Sequence, residues 1–114
     1  MSKLLNVQVH PELKSYSLGR VTLSYTRHAA EQANKKGVKV LQHLDIIQGS
    51  VVEAELDSRN TVIKLVVRVK QDSINDAVFV VAPKSKGFCV VITCWLNHFD
   101  DTHKTLRKER LLTA

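Results

Sequence analysis

After Gly49 the chain is written almost wholly in strand-forming residues, and this constrains its fold more than any other feature. Val51 to Asp57, Thr61 to Lys70, Ala77 to Pro83 and Phe88 to Asn97 are runs rich in β-branched residues. The segments DSRN, QDSIND and KSKG separate them, all with good turn chemistry. Three hairpin-length connections in succession predict an antiparallel meander of four strands.

The half before Gly49 mixes signals. NVQVH, from Asn6 to His10, alternates like a short strand that Pro11 ends. VTLSYT carries β-branched residues, whereas AAEQANKK is plainly helical. The conflict resolves as a short extended piece leading to a helix capped by Thr26, or by Ser24, and ended by Gly37. Ala29, Ala30 and Ala33 give that helix a small-residue face. His28 lies in its first turn, and Lys35 and Lys36 lie in its last, where their charge suits the dipole. Val40, Leu44 and Ile47 recur at helical spacing before Gly49, which predicts a second short helix. The tail, DDTHKTLRKERLLTA, fits a short final helix or an edge segment. The expected fold is therefore α+β: two N-terminal helices packed on a four-stranded antiparallel β-meander, with a short C-terminal segment, in a single domain over 1–114.

Composition narrows the class. The 114 residues are 44% hydrophobic and carry a formal net charge of +6, so the apolar content is too high for a disordered chain. No segment approaches the roughly 18 consecutive apolar residues that span a bilayer. The start, MSKLLNVQVHPELK, has no apolar stretch of signal-peptide length, so a cytoplasmic location is expected. Cys89 and Cys94 lie in one strand at an odd separation, which puts them on opposite faces, about 16 Å apart. A disulfide needs Cα atoms within roughly 7 Å, so both thiols are expected to be free and buried.

Alternation sorts the strand residues. In TVIKLVVRVK, Ile63, Leu65, Val67 and Val69 share the side expected to meet the core, and Lys64, Val66, Arg68 and Lys70 share the other. Solvated strands often carry such lysines; a face with Lys and Arg also holds phosphate oxygens. In FCVVITCWLN, Val90, Ile92, Cys94 and Leu96 fall on one face and Thr93, Trp95 and Asn97 on the other. Trp95 either covers core or stacks on an unpaired base, with Thr93 and Asn97 as hydrogen-bonding neighbours.

Five histidines are present. His10 stands beside a proline and His43 on the polar side of its expected helix. His98 and His103 flank Asp100 and Asp101 in NHFDDTH. Imidazole with carboxylate invites a metal reading, but no HxH or helical HxxxH spacing is present and the surroundings are cationic, so no metal site is expected. Acid–base work on a phosphodiester suits these histidines better. The glycine-rich motifs of nucleotide hydrolysis and dinucleotide binding and the esterase motif GxSxG are missing, so those classes lack their scaffold.

Two stretches carry a resemblance. YTRHAAEQANKKGV, positions 25 to 38, is similar to the helix of small BrnT-like and RegB-like proteins, which a histidine opens. KLVVRV…VFVVAP…VVITCWLNHFDDTHKTL, from 64 to 106, resembles the strand meander of RelE-like small ribonucleases, of the barnase–EndoU–colicin–RelE group. The two together span about half of the chain. In this sequence Gln32 stands where many relatives place an arginine. The resemblance implies metal-independent RNA cleavage with no cofactor. It assigns His28 and His103 as base and acid, and Lys64 and Arg68 as the cations that neutralise the pentavalent phosphate. Thr93 and Thr105 become hydrogen-bond donors, Trp95 and Asn97 position a base, and Lys104 joins the substrate contacts. RNA, including ribosome-bound mRNA, is then the expected partner, with an acidic antitoxin or host protein as another. A non-catalytic module that binds nucleic acid or a host protein on the same scaffold is the alternative.

Overall fold

The conflict in VTLSYTRHAAEQANKK resolves at Thr26. Before it, strand β2 covers Gly19–Tyr25; after it, helix α1 covers Arg27–Lys36. Thr26 accepts the N–H of Ala29 on its side-chain oxygen, and Gly37 ends the helix at φ 75°, a left-handed conformation that costs glycine little. Ala29 and Ala33 are buried against the sheet, whereas Ala30 is exposed, so the small-residue face is narrower than its spacing predicts. The computed structural model describes residues 3–6 and 11–100. Within them also lie β1 (Lys3–Asn6), a 3-10 turn over Pro11–Ser15, β3 (His43–Ile46), β4 (Val51–Leu56), β5 (Val62–Lys70), β6 (Asn75–Ser85) and β7 (Phe88–His98).

All the strands join one sheet in the order β1-β4-β5-β6-β7-β2-β3. Neighbours are antiparallel except β2 and β7, which run parallel with Leu23 beside Cys89 and Tyr25 beside Val91. The expected fold is thereby corrected: among the described residues one α-helix, rather than two, lies on a seven-stranded mixed sheet, rather than on a four-stranded antiparallel meander. The meander itself is present as β4 to β7, but β2 and β3 extend it on one side and β1 on the other. The second expected helix is β3. Its HLDI sequence alternates, with Leu44 and Ile46 buried, and pairs with β2, while Val40 and Ile47 stay 60% and 54% exposed. Three apolar residues at helical spacing lose to the period-two pattern because only the strand has a neighbour against which to bury both Leu44 and Ile46. Of the expected Asn6–His10 strand, Asn6 belongs to β1 and 7–10 lie outside the described residues.

The sheet has to curl. β3 and β4 stand five strand positions apart, which is about 24 Å in a flat sheet. Only Ile47 to Ser50 connect them, and a link of that length spans at most about 18 Å. The curled sheet holds the main core on the helix side, where Leu65, Val67, Phe79, Val81 and Val91 meet Ala29 and Ala33. A second, smaller cluster lies on the opposite face: Val66, Val78, Val80 and Trp95, with Val52 and Ile92 packed against it. The centre of β6 is therefore buried on both faces, as its continuous AVFVVA run requires.

A bulge in β7 changes the parity of that strand. Val80 pairs with Thr93 but Val81 pairs with Val91, which leaves Ile92 as the extra residue. Cys89, Val91 and Cys94 consequently all belong to the main core. The expectation that Cys89 and Cys94 face opposite ways is overturned, because strict alternation does not survive a bulge. Both remain free and buried thiols.

Candidate functional site

The second face of the sheet assembles most of the polar residues that the sequence singles out. Its rows follow from the register. Glu55 stands opposite Lys64. Glu53, Val66, Val80 and Thr93 form the next row, then Arg68, Val78 and Trp95, then Lys70, Asp76 and Asn97. Parity within β5 and beyond the bulge in β7 puts Lys64 and Arg68 on the same face as Thr93, Trp95 and Asn97.

His28 reaches this face from the helix. The register between β2 and β7 ends at Tyr25 and Val91, and α1 then runs along β7. Thr26 fastens the junction: its N–H donates to Val91 O at 3.1 Å and its hydroxyl donates to Ile92 O at 3.2 Å. The helix start is thus tied to the bulge, and His28 Nε2 comes within 3.4 Å of Thr93 Oγ1. The imidazole is exposed while Thr93 is buried. These two residues, 65 apart in the chain, are brought together.

The cations stand among carboxylates. Arg68 Nε donates to Asp76 Oδ2 at 2.7 Å, with 11% and 19% of the two side chains exposed. Its Nη2 donates to the carbonyl of His98 at 2.8 Å. Glu53 and Glu55 are each 5% exposed, and Oε1 of Glu55 has no hydrogen-bond partner. The sequence reading missed these two acids and Asp76. Their signal was the alternation in VVEAEL, which turns Glu53 and Glu55 to one side and Ala54 to the other. The face that carries Lys64 and Arg68 is therefore charge-matched within itself.

Trp95 is 5% exposed and packs with Val66, Val78 and Val80, so its burial matches the core-covering reading. Asn97 is half-buried, and its Nδ2 has no hydrogen-bond partner. His98 bonds through Nδ1 to Asp100 Oδ1 and stacks its ring near Phe99. His43 is exposed on β3 and shares the lining of an open cleft with Arg68 and Lys70 at the end of β5. His103, Lys104 and Thr105 lie outside the described residues. Among the described residues no group of three or more His, Cys, Asp or Glu could hold a metal ion, and no helix is long and apolar enough to cross a membrane.

The arrangement offers one exposed imidazole held near a hydroxyl at a helix start. In the first turn of α1 the N–H of Ala29 bonds to Thr26 Oγ1 and that of Ala30 to Thr26 O, which leaves those of Arg27 and His28 to favour a negative ligand there. Comparison with known proteins found no matching family model, no similar curated protein and no similar solved structure.

Proposed function

We propose that the chain binds RNA and cleaves it without a metal ion. The observation that carries this reading is the approach of His28 Nε2 to Thr93 Oγ1 at the start of α1. An exposed imidazole is the side chain best matched to proton transfer near neutral pH, and a hydroxyl beside it hydrogen-bonds either tautomer. In the proposed reaction a base removes the 2′-OH proton, the 2′-oxygen bonds to phosphorus, and the bond to the 5′-oxygen breaks as an acid protonates it. His28 serves as one of these groups, with His103 as its opposite number. Thr93 and the first turn of α1 donate hydrogen bonds to the phosphate, and Lys64 supplies positive charge. Arg68, already engaged by Asp76, holds the strands that carry the site. Lys104 and Thr105 complete the RNA contacts, and Trp95 and Asn97 shape the wall beneath the base.

Incubation of the purified chain with RNA in EDTA tests the reading. Products ending in 2′,3′-cyclic phosphate and 5′-hydroxyl, formed at the same rate with and without chelator, are expected. Cleavage that requires added magnesium contradicts it.

One observation favours a second reading, a binding module without catalysis. The positive groups of the second face are balanced by Asp76, Glu53 and Glu55, which stabilises the face without leaving much charge for a transition state. That reading predicts salt-sensitive retention of RNA with no cleavage, unaffected by loss of His28.

A further inference from the structure

Among the described residues the sheet curls without closing, and its seam has the form of a missing strand. Gly19 faces Ile46 and Val21 faces Leu44 across β2 and β3, and Leu23 N–H bonds to Gln42 O at 2.8 Å. Antiparallel alternation then turns the N–H and C=O of Leu44 and Ile46 towards β2, and those of His43 and Asp45 away from it. Ile47, next in the outward series, is satisfied within the chain, since its N–H and C=O both bond to the Ser50 hydroxyl. Among the described residues, the open part of the edge is thus the main chain of His43 and Asp45.

Across the seam stands the end of β5. Arg68 N–H bonds to Ser50 O at 2.8 Å, just before β4 begins at Val51, and the same alternation turns the main chain of Lys70 outward beyond it. Between the two edges lies an open cleft of about 500 Å³, with His43 and Asp45 on one side, Arg68 and Lys70 on the other, and the Ile47–Ser50 turn at its end. A pocket of about 140 Å³ shares Leu41, Val69 and Lys70 with the cleft and reaches Ala77 and Phe79 of the main core. Exposed Lys39 and Lys70 flank it.

We propose that this seam takes an extended, acidic peptide segment of another protein, added as a strand along β3. The seam supplies main-chain donors and acceptors in the geometry of strand addition. Side chains of an added strand alternate. Those turned inward meet the apolar pocket over Val69 and Phe79. Those turned outward pass between Asp45 and Lys70, with Lys39 beside the pocket; two lysines against one carboxylate, on a chain of net charge +6, select acidic residues over basic ones. The occupant is therefore a segment with alternating acidic and apolar residues. This inference does not depend on RNA cleavage.

The test uses the full chain and three synthetic heptapeptides: alternating acidic and apolar, the same composition in blocks, and alternating basic and apolar. Binding is followed by the amide resonances of His43, Asp45 and Lys70, and by amide exchange. The alternating acidic peptide is expected to bind and to slow exchange at His43 and Asp45. The double variant Lys39→Glu, Lys70→Glu is expected to weaken it roughly ten-fold or more. Asp45→Pro removes one outward N–H and is expected to abolish binding. Equal binding of all three peptides overturns the proposal, as does binding that both variants leave unchanged. Slow exchange at His43 and Asp45 in the free chain, or protein-concentration-dependent slowing through dimerisation, also overturns it, because the seam is then filled by this chain. A decanucleotide that displaces the peptide from these amides assigns the cleft to nucleic acid and overturns it too.

Discussion

Arg68 and Asp76 join through a 2.7 Å hydrogen bond between Nε and Oδ2, and the same guanidinium holds the carbonyl of His98. One side chain thus ties β5 to β6 and to the end of β7. The pair is mostly removed from water, so its loss is asymmetric. Asp76→Ala leaves a desolvated guanidinium without its carboxylate and is expected to cost about 3 kcal/mol in urea unfolding. Replacing both partners with apolar residues of similar volume is expected to cost less than that single change.

Thr26 caps α1 and also anchors it to the β7 bulge. Thr26→Ala is expected to lower stability by about 1–2 kcal/mol, and Thr26→Ser, which keeps the hydroxyl, by much less. Thermal unfolding measures both. The same pair tests how the helix start positions His28: any RNA-directed activity is expected to fall with Thr26→Ala and to be restored by Thr26→Ser.

The hydroxyl of Tyr25 donates to Leu41 O at 3.0 Å and accepts from Leu41 N at 2.9 Å, which fixes the connection between α1 and β3. Tyr25→Phe is expected to cost about 1–2 kcal/mol, since it leaves both groups of Leu41 without that partner. Burial pushes the Tyr25 phenol above the ordinary tyrosine value, and burial also raises Tyr16. The folded state therefore favours the protonated phenols. Their contribution is fully present below the unfolded tyrosine pKa, near 10, and is lost as pH rises through the higher folded value. Chemical unfolding from pH 8 to 11 is expected to show this decline, and Tyr25→Phe is expected to reduce its slope.

Burial likewise raises the thiol pKa of Cys89 and of Cys94, although Lys36 partly opposes the shift at Cys94. Both thiols are expected to react slowly with iodoacetamide at pH 8 in the native state and quickly in denaturant. Fast native alkylation of either one contradicts the core placement. Folded and unfolded protein are distinguished by mass after a fixed exposure.

Particular residues show what the sequence could carry. Thr26, AAEQANKK and Gly37 are local signals, so α1 was legible, with its cap narrowed to Thr26 or Ser24. The four strands after Gly49 were legible for the same reason. The segment 40–47 fits two periodicities, Val40, Leu44 and Ile47 at helical spacing and Leu44 and Ile46 at period two, and only pairing with β2 decides for a strand, which no local pattern expresses. The parallel contact between β2 and β7 is likewise a long-range choice. Parity correctly grouped Thr93, Trp95 and Asn97 because all three follow the bulge, and failed for Cys89 and Cys94 because they flank it. A bulge is a property of two strands in register, so one strand's sequence does not announce it. For the site, the face of Lys64 and Arg68 was legible; the carboxylates that neutralise it, and the approach of His28 to Thr93, required the register between strands.

The central claim is that His28, held beside Thr93, moves a proton during RNA cleavage. Single-turnover cleavage of RNA in EDTA by the wild-type chain and by His28→Ala, each shown to be folded by circular dichroism, tests it most directly. The account predicts cleavage by the wild-type chain and a loss of about 10²- to 10⁴-fold in the variant. Equal rates for the two proteins, or a wild-type chain that leaves RNA intact, would contradict it.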